Sequence, residues 1–311
     1  MRPPIRMLIV GMILMSACLG CSGSKEVVKP IPPSVISLHP AADYTNRFAV
    51  LLTHTPSTAV GRQMGERYFE MLINAIRDEG DRLQVVTPKD QGFPEFLLRL
   101  AQSPGTPDDV PIIAEKIRLA GYNGWGTARI GAIHVVDRQS GFFLFRKEHH
   151  YVFFDLQLAV YDPITGAKII DDVIESSAEI NEDEYPAFKA GQGGDYEDLI
   201  DTIDNTAEDM GEKAADTLDG QAWRISIVKV ENGRIFLPAG ALDGLRAGDR
   251  LTVFQGRRSL SGLDGAQYFV PGFEIGRIEI VSVTDHAAEA RDLSESEGGK
   301  IQAGDFAASV K

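Results

Sequence analysis

One break in periodicity divides this chain. Apolar residues recur at three and four from Leu199 through Ile203, Ala207, Met210 and Ala214 to Leu218, the stripe of an amphipathic helix. Gly220 ends the stripe, and after Trp223 the pattern becomes short apolar runs separated by turn residues. RISIVKVENGRIFLP sets Asn232-Gly233 between two such runs, a strong hairpin signal. AGALDGLRAGDRLTVFQ and GFEIGRIEIVSVTDHAAEARDL supply further strands. About five short strands in roughly ninety residues predict a small all-β barrel over 223–311.

Residues 47–222 mix both periods. RFAVLLTH is a buried-strand candidate. Met64, Tyr68, Leu72 and Ile76 then repeat at i+4 until Gly80. DRLQVVTP is a second short strand. Asp109 caps a helix with Pro111 in its first turn and Ile113, Ile117 and Ala120 on its apolar side. WGTARIGAIHVVD and YVFFDLQLAVYD read as long strands, and DPITGAKIIDD turns the second back as a hairpin through Pro163 and Gly166. A polar loop with GQGG precedes the long helix. The expected class is α+β, an α/β domain at 47–222 followed by the barrel.

The chain opens MRPPIRMLIVGMILMSACLGCSGSK, with its only cysteines at 18 and 21. Arg2 and Arg6, an apolar run from Met7 to Leu14, and small Ser16 and Ala17 follow the order of a secretory signal. The run is shorter than the roughly 20 residues a spanning helix needs. A buried amino-terminal helix is the plainer alternative. Leu14-Met15-Ser16-Ala17-Cys18 resembles a bacterial lipobox, which implies lipid on Cys18; Cys18-Leu19-Gly20-Cys21 is the alternative, with lipid on Cys21. Choosing Cys18 leaves Cys21 as an odd thiol in an oxidising compartment, and choosing Cys21 removes Cys18 with the signal. The expected layout is a signal at 1–17 and a proline-containing tether at 18–46. By analogy with enterobacteria the expected place is the outer membrane, lipid-anchored and facing the periplasm.

Net charge is −14, and removing Arg2 and Arg6 lowers it further. That excludes nucleic acid as an expected partner, since phosphate binding needs clustered Lys and Arg. The anchor is the expected membrane contact. Asp171 to Asp216 holds 16 acidic residues against Lys189 and Lys213. A solvated face explains such a run, and a docking surface for a basic partner is the sharper alternative. Asp201, Asp204 and Asp209 are its candidates, with Arg234, Arg246 and Arg250 (and Arg224 beside them) on the barrel of a neighbour as their counterparts.

No stretch carries recognisable catalytic chemistry. His149 and His150 are adjacent in a strand-like stretch, so they face opposite ways and cannot share a metal without a bulge. His54 follows the first strand, where α/β sheets often place ligands, but it stands by itself. GYNGWG follows a helix and lacks a phosphate loop's ending; a turn explains it better. SGSK lies in the tether. There is no G-x-S-x-G and no H-E-x-x-H. The expectation is no enzyme, no cofactor and no metal.

RFAVLLTH with its helix, AEKIRLAGYNG, and LQLAVYDPITGAKI together resemble the α/β domain shared by the TolB amino-terminal region and the curli-secretion protein CsgG. Tyr161-Asp162 and Thr165-Gly166 match that domain's hairpin. Gln221, Trp223, Gly233-Arg234-Ile235, Gly244-Leu245 and Gly248-Asp249 resemble the carboxy-terminal half of flagellar assembly protein T, whose small barrel is SH3-like. That family is usually larger and soluble in the periplasm. The resemblance implies a non-enzymatic scaffold at the outer membrane, in a flagellar basal-body ring and with other envelope proteins or further copies as partners. The alternative is a lipoprotein module that regulates a cell-envelope enzyme such as a peptidoglycan synthase. A third is a small-molecule binder with its pocket near His54.

Overall fold

A computed structural model describes residues 44–102, 109–142, 146–256, 258–261, 267–270, 272–294 and 300–309. The leader, Cys18, Cys21 and most of the tether lie outside them. The first sheet holds β1 (Asn46–Leu52), β2 (Leu83–Val86), β3 (Gly124–Ile130), β4 (His134–Ser140), β5 (Lys147–Tyr161) and β6 (Lys168–Ile180). β1 runs parallel to β2 and β3, and β3 pairs antiparallel with β5. At 15 residues, β5 spans both β3 and β4 along one edge and β6 along the other.

Alternation along β5 buries Val152, Phe154, Leu156, Leu158 and Val160 on one face. Two long helices, α1 (Ala59–Glu79) and α5 (Glu197–Asp219), cover that face with Tyr68, Leu72, Ile203 and Met210. Gly211 lets them close: a Cβ there would lie 2.6 Å from the Ala75 Cβ. Thr58 caps α1 by accepting from the Gly61 amide at 3.1 Å. The predicted hairpin is held by Asp162, which accepts from the Ile164 amide (2.9 Å) and the Thr165 hydroxyl (2.7 Å). The opposite face takes the short α2 (Leu98–Gln102) and α3 (Val110–Leu119). Asp109 stands at the cap of α3 but makes no capping bond. A one-turn α4 (Tyr185–Lys189) follows β6.

The expected long strand WGTARIGAIHVVD is instead broken into β3 and β4. Gly131 sits against the Asp155 carboxylate, where a Cβ would be 2.1 Å from an oxygen, and its amide donates to Asp155 O. Both pieces therefore lie along the same edge of β5.

The second sheet has seven strands in the order β7-β15-β10-β13-β14-β9-β8. These are β7 (Arg224–Ser226), β8 (Lys229–Glu231), β9 (Arg234–Leu237), β10 (Arg250–Phe254), β13 (Glu274–Val283), β14 (Ala288–Asp292) and β15 (Phe306–Ala308), with β11 (Arg258–Ser261) and β12 (Gln267–Val270) forming a separate hairpin. RISIVKV is not one strand. The Ile227 amide donates to Asp305 O (2.7 Å), while the next amide, Val228, donates to Phe236 O (3.0 Å). The kink sends β7 and β8 to opposite ends of the sheet, which curls around Trp223, Ile225, Ile235, Leu251, Val253 and Ile278.

The two cores belong to one compact unit. Ile164, at the tip of the β5–β6 turn, packs into Phe254, Phe306 and Ala308. Arg47 pairs with buried Asp243 at 3.2 Å, and Arg224 with Asp162 at 3.2 Å. Asn123 bridges them, accepting from the Arg47 amide and donating to Arg224 O. Burial pushes the Asp243 carboxyl above the usual range, against the Gly240 amide and Arg47 that favour its charge.

Candidate functional site: the half-covered sheet

Leu97, in the turn that leads into α2, and Ala114 and Ile117 of α3 seat on Ala49, Leu51, Val86 and Trp125 of β1, β2 and β3. That layer ends where Tyr161 stacks on Trp125 (4.9 Å). Past it, the same face of β5, β4 and β6 carries no described helix. Its residues are half-buried or exposed: Tyr151 and Phe153 of β5, His134, Val136 and Arg138 of β4, Val173, Glu175 and Glu179 of β6.

Cross-strand pairs organise this open face. His134 stacks on Phe153 at 5.5 Å, and the Arg138 guanidinium lies 5.3 Å from the Tyr151 ring and 5.9 Å from Phe153. His149 meets Glu179 through Nδ1 (2.5 Å) and the Ser140 hydroxyl through Nε2 (2.8 Å). That hydrogen bond holds the Glu179 carboxyl below its usual range. The result is an aromatic and cationic strip bordered by carboxylates.

Alternation puts His150 on the other face. It is buried, stacks on Tyr185 of α4 at 3.6 Å, and meets Asp137 at 2.8 Å. Tyr185 donates to the same carboxylate (3.1 Å), and Lys189 donates to the Tyr185 oxygen (3.0 Å). The His150 hydrogen bond leads in lowering the Asp137 carboxyl, and the Tyr185 contact raises the Lys189 ammonium. These bonds fasten α4 to the sheet.

The acidic candidates divide. Asp201 and Asp209 are exposed on α5. Asp204 is half-buried and engaged by both Nε (2.7 Å) and Nη2 of Arg67. On the second sheet Arg234 pairs with Glu289 (3.2 Å) and Arg250 with Glu279 (3.7 Å), both arginines staying largely exposed. Arg246 is exposed, and its backbone amide donates to Asp249 in the Gly-Leu-x-x-Gly-Asp turn. Arg224 is held by Asp162 inside the chain, so it is not available to a neighbour's acids. Cys18 and Cys21 lie outside the described residues.

His54 is exposed, with a left-handed φ of 45°, beside an open cleft of about 570 Å³ lined by Leu52, Thr55, Arg129 and Gly131. The cleft's main charge is already engaged: Arg129 Nε donates to Gln157 Oε1 (3.0 Å), and Gln157 Nε2 donates to Asp155 (2.5 Å). A second, more apolar groove of about 350 Å³ runs between α1 and α5 past Met64, Arg67, Tyr196 and Ile203. Among the described residues no group of three or more His, Cys, Asp or Glu is placed to hold a metal ion, and no helix is long and apolar enough to cross a membrane.

Sequence reasoning missed the open face. Tyr151 and Phe153 stood in YVFFDLQLAVYD as strand formers. The signal was their position: both fall on the face of the alternation opposite Val152 and Phe154.

No protein-family model matches the chain, and no curated protein matches it significantly. Among solved structures, a hypothetical protein of Chlamydia trachomatis is similar at 12% identity and a TM-score of 0.36, over 56% of this chain and 98% of that one. A minor lipoprotein of Acinetobacter baumannii is similar at 10% identity and a TM-score of 0.28, over 55% of this chain and 93% of that one. TolB of Acinetobacter baumannii is similar at 10% identity and a TM-score of 0.27, over 86% of this chain and 64% of its own length. Scores this low mark a loose likeness in the arrangement of elements.

Proposed function

We propose that this chain is a non-enzymatic lipoprotein, anchored by lipid on Cys18 (or Cys21) to the periplasmic face of the outer membrane, that works as a scaffold in an envelope assembly. A flagellar basal-body ring is the assembly its carboxy-terminal motifs resemble, and the curled second sheet serves as an SH3-like module braced against the first. One observation supports the scaffold: of the eight exposed large hydrophobics among the described residues, four, Leu98, Ile112, Leu119 and Val173, lie on the half-covered side of the first sheet, and none lies on α1 or α5. Scattered apolar residues are ordinary on a surface, whereas residues collected on one side mark a contact surface. The polar groups near His54 bond to one another rather than converging on an open position, which favours contact over chemistry.

The test is in-cell cross-linking of a tagged full-length chain, followed by mass spectrometry of what co-purifies with the outer-membrane fraction. Ring proteins and self-cross-links are the expected partners. A peptidoglycan synthase as the dominant product would replace the scaffold with the regulator. Recovery from the soluble periplasm alone would overturn the anchor.

A further inference from the structure

We propose that the half-covered face is a self-complementary surface that takes a second copy of this chain, two-fold related and face to face. The proposal concerns this chain's contact with itself and stands whether or not the envelope scaffold is right.

One face of the first sheet has a step. Over β2, β1 and β3 it carries a layer of helix; over β5, β6 and the end of β4 the described residues add none. The helix layer presents an apolar ridge outward, with Leu98 of α2 40% exposed and Ile112 and Leu119 of α3 57% and 53% exposed. Ile112 and Leu119 are seven residues apart, so they share one side of α3. The bare strands present Val173, 56% exposed, beside the half-buried Tyr151 and Phe153.

Ridge and strands lie side by side on one face. A two-fold axis running along the boundary between them, above the sheet, seats each copy's ridge on the other's bare strands. The contact is isologous, the same patch on both copies. A single helix layer then fills the gap between the two sheets on both halves. An unrelated partner would have to supply this step by coincidence, whereas a second copy supplies it by symmetry.

Charge on the face is mixed: Arg99 and Lys116 are exposed on the ridge near Glu95 and Glu115, and Asp171 and Glu175 on the strands with Arg138 and Lys168, the last already paired with Asp171. The apolar residues therefore carry the pairing. A pairing of β6 edges across the two-fold would instead set acidic rows against each other, which disfavours it. The bare part of the face measures roughly 35 Å by 14 Å at strand spacing. That is over half of the ~800 Å² per partner in a standard interface, and the ridge adds the remainder.

The decisive experiment is sedimentation equilibrium of the full-length chain in detergent. The wild type is expected at twice the chain mass. The double substitution Ile112→Asp with Leu119→Asp is expected to loosen the pair by roughly a hundredfold. Both side chains are more than half exposed, so the circular dichroism of the variant should match the wild type. Val173→Asp, on the strands that the ridge would cover, is expected to weaken the pair as well. A monomer at every concentration, a closed assembly of three or more copies, or a dimer that neither variant loosens would each overturn the proposal.

Discussion

The two faces of the first sheet are made from the same strands and end in different states. Under α1 and α5, which run to 21 and 23 residues, the even positions of β5 disappear into a continuous core. Under α2 and α3, of 5 and 10 residues, cover reaches Tyr161 and stops. Phe154 is 3% exposed while Phe153, the residue before it, is half-buried. The two residues are chemically identical, so helix length decides which is covered. The outer surfaces invert this: α5 shows water a row of carboxylates, and the half-covered side shows it the chain's apolar ridge.

Breaking the covered face should cost most. Leu72→Ala removes a fully buried side chain and is expected to lower unfolding free energy by about 3 kcal/mol in urea titration. Ile164→Ala, which empties the wedge between the two sheets, should cost about 2 kcal/mol; loss of a single cooperative transition would show that this wedge couples the cores. Phe153→Ala should cost ~1 kcal/mol or less of monomer stability, because it loses only cross-strand contact on an open face. If it cost as much as Leu72→Ala, the distinction between the faces would fail. Asp204→Asn, at a pair with Arg67 40% exposed, should cost under ~1 kcal/mol.

The smallest effect is a pH dependence. Glu179 is held below its usual range by His149. Its contribution is therefore present above the ordinary glutamate value, about pH 4.3, and is lost as pH falls through the lowered folded value. The difference in melting temperature between wild type and Glu179→Gln should be largest near neutrality and fade below about pH 4. A difference that grows in acid would mean the contact favours the protonated form.

The sequence shows the covered face well and the open face poorly. α1 and α5 are legible from their i+3 and i+4 repeats, and the β5–β6 hairpin from DPITGAK. The break at Gly131 and the kink at Ile227-Val228 are not, because both arise from contacts with distant backbone, at Asp155 in one case and at Asp305 and Phe236 in the other. Asp204 reads as one carboxylate in an acidic run; its partner Arg67 is 137 positions away. YVFFDLQLAVYD is apolar enough for burial on both faces, and nothing within it tells where the helix layer ends. The site is what the fold leaves uncovered, so no local motif marks it.

The central claim is that contact is made by the half-covered side rather than by the acidic side. A photo-cross-linking residue placed at Val173, and separately at the exposed Asp209 of α5, tests it in the intact cell with the full-length chain. The account predicts a product of twice the chain mass from position 173 and none from position 209. Products from position 209 alone would return the working surface to the acidic helix and contradict the account.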